Sequence, residues 1–142
     1  MYRSMLVNTS YHNPEIEKKI DQEVGKPFSL KDRVLLGGIG SPPLEITSAS
    51  SSIYSLLSLN NDRNRCNLEL RPNGVLLRFK ARLDSYTLVI PFYKLVLYKG
   101  DFAQYSIYRD NHFVKVKADT KAIQKFFTKI LDAKASSTPE SL

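Results

Sequence analysis

Two periods of hydrophobicity divide the chain. From Cys66 to Lys117 apolar and polar residues alternate with the two-residue period of half-buried strands. From Ile123 to Leu131 they follow the helical period. Cys66, Leu68 and Leu70 alternate with Asn67, Glu69 and Arg71. After Pro72-Asn73-Gly74, Val75, Leu77, Phe79, Ala81 and Leu83 alternate with Arg78, Lys80 and Arg82. Two such runs around Asn-Gly predict a hairpin, with a tight turn at Asn73-Gly74 that needs positive φ. Asp84-Ser85 is expected to turn the chain again. Tyr86 to Ile90 forms a strand, and Pro91, which cannot donate to a central ladder, separates it from another over Tyr93 to Tyr98. Gln104 to Tyr108 and His112 to Lys117 flank a turn at Asp110-Asn111. Asp119 is then the expected N-cap of a helix that buries Ile123, Phe126, Phe127, Ile130 and Leu131 and turns Lys121, Lys125 and Lys129 outward.

With Ile53 to Leu59 read as the first strand, the pattern predicts a mainly β (α+β) fold. Seven antiparallel strands form a bent sheet or partial barrel, and the C-terminal helix caps it. Tight turns between the strands require antiparallel pairing. Before residue 53 the pattern loosens. Asn13-Pro14-Glu15 starts a short helix whose Ile16, Ile20 and Val24 share one stripe, with Gly25 to end it. Val34-Leu35-Leu36 runs into a Gly/Pro-rich loop over residues 37–43, and Ser48 to Ser52 reads as a link. The expected organisation is an N-terminal extension over 1–52, a β domain over 53–134 and a flexible Ser/Thr/Pro-rich tail over 135–142.

Composition narrows the function classes. The chain has 142 residues, enough for one core, and its single cysteine, Cys66, rules out an internal disulfide framework. No stretch nears the ~18 apolar residues that span a bilayer, and the first residues lack a signal-peptide core, so a cytoplasmic protein is expected. The net charge of +7 is uneven. Residues 1–62 sum to −1 and residues 63–134 to +9, so the patterned region carries the basic charge. Such a domain attracts polyanions: nucleic acid, anionic lipid or acidic protein surfaces.

Leu70-Arg71-Pro72-Asn73-Gly74-Val75-Leu76, Leu88-Val89-Ile90-Pro91-Phe92-Tyr93-Lys94-Leu95, the strand His112 to Val116 and the helix through Phe126-Phe127 together resemble the pleckstrin-homology-like superfold. The likeness is to its bacterial, GRAM-like branch and covers about residues 53–134. The resemblance implies a binding or assembly module that recognises lipid headgroups, peptides or proteins. In lipid-binding members a basic run on the second strand grips phosphates beside a long first loop. Arg78-Phe79-Lys80-Ala81-Arg82 is similar to that run. The short Asn73-Gly74 turn before it argues against specific phosphoinositide binding.

The chemistry of the side chains points the same way. Arg78, Lys80 and Arg82 project from one face of their strand, and Lys115 and Lys117 from theirs; these five are the candidate anion-binding residues. Tyr98 and Tyr108 fall on the polar side of their alternations and are the best placed to stack on bases. Gly37-Gly38-Ile39-Gly40-Ser41 lacks the lysine and spacing of a phosphate loop. His12, His112 and Cys66 do not make a zinc pattern, and Asp84, Asp101, Asp110 and Asp119 sit where they serve turns and caps. No catalytic residue, metal site or cofactor is expected. The sequence reads as a non-enzymatic binding or scaffold module acting through contact with a protein partner or through self-association. A peripheral binder of anionic lipid or nucleic acid is the alternative.

Overall fold

The computed structural model describes residues 5–60, 63–100 and 103–137. In chain order the elements are β1 (Leu6–Asn8), α1 (Pro14–Val24), α2 (Leu30–Leu35), β2 (Leu44–Ala49), α3 (Ser51–Leu57), β3 (Arg65–Arg71), β4 (Gly74–Ala81), β5 (Asp84–Pro91), β6 (Leu95–Gly100), β7 (Gln104–Arg109), β8 (His112–Lys117) and α4 (Lys121–Ser137). The eight strands form one antiparallel sheet in the order β1-β5-β4-β3-β2-β8-β7-β6, which does not close. β2 joins its two halves. Leu44 and Glu45 pair with β3, and Ile46 to Ala49 pair with β8 across a register shift after Ile46. Such an irregularity sharpens the local bend of a strand.

The bend lets both halves share one core. Leu68, Leu77 and Ile90 from one half meet Ile107, Val114 and Val116 from the other. Ile53 and Leu57 of α3 and Ile123, Phe126, Phe127 and Ile130 of α4 pack onto the same core. Phe127 stacks on Tyr105 with ring centroids 4.1 Å apart. A smaller core lies on the outer face, where Ile20 and Val24 of α1 cover Leu76, Val89 and Met5. As its sequence predicts, α1 is capped by the Asn13 side chain, which accepts from the N–H groups of Glu15 and Ile16.

Several expectations change. There are eight strands, not seven, and β1 and β2 both come from before residue 53. The expected strand Ile53 to Leu59 is the helix α3: Ile53, Leu56 and Leu57 have the i, i+3, i+4 spacing of a buried helical face. The Ser48 to Ser52 link contains the end of β2 and the start of α3. The turn residues after β3 are Pro72 and Asn73, and Gly74 opens β4 opposite Arg71 without positive φ. Gly74 is needed for space: a β-carbon there would run into the Ile90 carbonyl oxygen, Cγ1 of Val24 and Cα of Pro91. The next turn is Arg82-Leu83, with Arg82 at φ 57°, and Asp84 already begins β5. β6 starts at Leu95 rather than Tyr93. Thr120 caps α4 in place of Asp119, its Oγ1 accepting from the Ile123 N–H at 3.2 Å. Leu131 lies 41% exposed at the edge of the helix's apolar face. Residues Asp101 and 138–142 lie outside the described residues.

Candidate anion-binding surface

Alternation along β4 decides which of its side chains can meet a ligand. Val75, Leu77, Phe79 and Ala81 enter the core, so Leu76, Arg78 and Lys80 stand on the outer face. Toward the Pro72 end that face is covered by α1. Toward the Arg82 end it is bare and slopes into a groove of about 810 Å³. Arg65 and Asn67 of β3, Arg78 and Lys80 of β4, and Arg82 and Leu83 of the β4–β5 turn line it on the sheet side. Leu59, Asn60 and Arg63, from between α3 and β3, also line it, with Cys66 and Phe79 at its floor toward the core. Asn60 ties these residues to the sheet side: its Oδ1 accepts from the Arg82 N–H at 2.7 Å and its Nδ2 donates to the Lys80 carbonyl at 2.8 Å.

The electrostatics of the groove are one-sided. Five cations line it, and none of its described lining residues is a carboxylate. The β3–β4 register pairs Asn67 with Arg78 and Cys66 with Phe79, so Arg65 and Lys80 stand next in line, cation against cation. Like charges so placed destabilise a ladder. Among the described residues Arg65, Lys80 and Arg82 have no ion-pair partner. Arg78 and Arg63 are different, because Arg78 pairs with Glu69 and Arg63 with Glu45. Burial alone would raise the Glu69 pKa, but hydrogen bonds from Arg71 and Arg78 outweigh it and hold the carboxyl below its ordinary range. Leu59 and Leu83 crown the rim; Leu83, at the tip of its turn, is 98% exposed.

The two basic sets predicted from sequence approach one another at β2. Glu45, opposite Arg65 in the β2–β3 register, is 3.6 Å from Arg63 and 3.5 Å from Lys117. Lys117 thus joins the edge of the groove's field with Glu45 between, while Lys115 lies one strand step further, beside Ser48 and Ser106. Neither lysine lines the groove. Of the five candidates, Arg78, Lys80 and Arg82 are brought into one concave surface. Arg63 and Arg65 were not singled out in the sequence. Arg65 continues the outward alternation of Asn67 by one step, which is the signal that marks it; Arg63 is placed by the connection and has no such signal.

Other candidate chemistry is dispersed. Tyr98 is exposed, but Tyr108 is half-buried against Phe113, with centroids 5.5 Å apart. Tyr86 stacks on Phe79. The Cys66 thiol is buried and its pKa is pushed up to about 12, so it is a protonated core group. His112 Nδ1 lies 2.9 Å from Ser52 Oγ. Burial and then the charge of Arg109 lower its pKa, while nearby Asp110 opposes them. The Asp110 carboxylate faces Lys94 and Arg109 rather than the ring, so the pair lacks the orienting acid of a nucleophilic triad. Among the described residues no three His, Cys, Asp or Glu groups gather to hold a metal. No described helix is long and apolar enough to cross a membrane. No family model, curated protein or solved structure matches the chain.

Proposed function

We propose that this protein is a non-enzymatic module that docks on anionic membrane surfaces, taking phosphate-bearing headgroups into the groove. The observation that carries this reading is the five-cation groove with no described carboxylate in its lining and two exposed leucines on its rim. Cations close to an anionic surface contribute about 1 kcal/mol each. Leu59 and Leu83 would bury their side chains in the acyl boundary, a gain of about 1.5–3 kcal/mol for each one fully buried.

The strand order supports a pleckstrin-homology-like architecture. β2 to β8 run β5-β4-β3-β2-β8-β7-β6 and are followed by α4, with β1 as an added edge strand. Counted from β2, the first connection is long and contains α3, and its Leu59, Asn60 and Arg63 line the groove. The short Pro72-Asn73 turn belongs to the next hairpin and does not argue against headgroup binding. The basic run falls on the third strand of this count, with Arg65 supplied by the second. Fold likeness alone is a weak warrant for function, so the proposal rests on the groove.

The test replaces Arg65, Lys80 and Arg82 together with Ser and measures co-sedimentation with phosphatidylcholine vesicles, with and without phosphatidylserine, at low and physiological salt. Loss of three surface cations is expected to weaken binding to the anionic vesicles about 100-fold, from about 3 kcal/mol. Leu83→Ser is expected to weaken the binding that survives at physiological salt, where screening removes much of the charge term. Tight binding of single-stranded oligonucleotides without vesicle binding would move the groove to nucleic acid. Binding to neither at low salt would overturn the proposal. The scaffold reading concerns a different surface, the free edge at β6.

A further inference from the structure

β6 is the outermost strand on the side of the sheet away from β1. One of its edges carries six register pairs with β7; no strand pairs with the other, where only the Leu95 N–H is taken, by the Phe92 carbonyl at 3.2 Å. The opposite margin of the sheet is β1, only three residues long. Among the described residues β6 is therefore the one long open edge, whose free N–H and C=O groups template pairing with another strand. β6 carries few of the features that guard such edges. It has no proline and no register shift, and Lys99 is its one charged residue. Lys94, just before it, is held by Asp110 at 3.3 Å. On the outer face Val96 is 57% and Tyr98 63% exposed, with Tyr93 also exposed beside them. Behind Val96 the register places Tyr108 and then Phe113, an apolar row across three strands.

We infer that β6 pairs antiparallel with β6 of a second copy, about a twofold axis through Leu97. Opposed residues of two strands must point to the same face, so the axis has to pass through a residue rather than between two. Through Leu97 it sets Val96 of each copy opposite Tyr98 of the other, two aromatic–β-branched pairs of the kind that stabilise ladders. Lys99 then faces Leu95, and Lys94 faces Gly100, so no cation meets a cation. An axis through Tyr98 would spend Val96 on Gly100. One through Val96 would set Tyr98 against Lys94, which Asp110 holds. The twofold contact is self-complementary and closes at two copies, which an arbitrary extended peptide would not match. The contact is small beside the ~1,200 Å² floor of stable interfaces, so the dimer is reversible, with Kd on the order of micromolar or weaker.

Two double variants remove the same side chains and differ only in sign. Val96→Glu with Tyr98→Glu opposes like charges twice across the axis, whereas Val96→Lys with Tyr98→Glu opposes unlike charges twice. Sedimentation equilibrium over a wide concentration range reads the association, and circular dichroism checks the fold. The unmodified protein is expected to rise from one toward two chains in mass. The like-charge variant is expected to associate at least ~10-fold more weakly than the unlike-charge one. A protein that stays monomeric at its highest soluble concentration overturns the inference, as do two double variants that associate equally.

Discussion

Two patches of the same sheet use arginine in opposite ways. Beneath α1, Arg71 and Arg109 are buried and matched to carboxylates on the helix. Arg71 reaches Asp21 at 3.3 Å, Glu69 at 2.7 Å and the Gly25 carbonyl at 2.8 Å, and Arg109 reaches Glu23 at 3.2 Å. In the groove, Arg65, Lys80 and Arg82 line one surface with no carboxylate among its described lining residues. The first pair are internal fasteners that hold α1 to the sheet. The second set leaves a field uncancelled. A net charge of +7 therefore says less about binding than where the countercharges sit.

The comparison breaks most visibly at Arg71. Arg71→Met leaves Asp21 and part of Glu69 unpaired under α1, and is expected to cost about 3 kcal/mol in denaturant titrations, since removing one partner of a buried pair strands the other. Vesicle binding of the folded fraction should not change. A cost below that of a groove substitution would mean that Arg71 is no fastener.

Gly74→Ala tests how closely β5 and α1 close on the start of β4. With Val24, Ile90 and Pro91 in the way of a new β-carbon, the cost is expected to reach about 2 kcal/mol, within the usual range for overpacking. An unchanged melting temperature would show that both the β5 backbone and the helix give way.

A pH series sharpens the contrast, because only the fastened patch holds a titrating carboxylate. The folded Glu69 pKa is depressed, so its ionised form stabilises the fold fully above about pH 4.5, and that stability is lost as pH falls through the folded value. The His112 pKa is also depressed, so folding favours the neutral ring, and stability starts to fall earlier, below about pH 6.5. Glu69→Gln is expected to flatten the lower part of the curve and His112→Gln the upper part. An acid limb unmoved by Glu69→Gln would contradict the pairing.

The smallest expected effect is at the groove itself. Lys80→Ser and Arg82→Ser should each shift stability by no more than about 0.5 kcal/mol, and Lys80→Ser in the stabilising direction because it relieves Arg65. A large loss at either would make these residues part of the fold rather than a surface held ready for a ligand.

Much of this was legible in the residues. Asn13-Pro14 located α1, the alternation from Cys66 to Lys117 marked six of the eight strands, and Ile123 to Ile130 identified the buried face of α4. Period-two and period-3.6 patterns are local, and they survive folding because burial on one face is what selects them. The errors share a cause. Ile53, Leu56 and Leu57 fit a short strand or a short helix equally well until β2 fills the place beside β3. Gly74 looked like a turn glycine, but its constraint is the close approach of the β5 backbone at Ile90 and Pro91 and of Val24, 50 positions earlier in the chain. Outward cations on β4 were visible as such. Which of them stay uncancelled was decided only in the folded chain, where Glu69 of β3 takes Arg78 while Lys80 is set beside Arg65 with no carboxylate in reach. Alternation is set by neighbours along the chain, whereas charge balance is set by neighbours in space, so the fold could be read largely from the sequence and the site only from the folded chain.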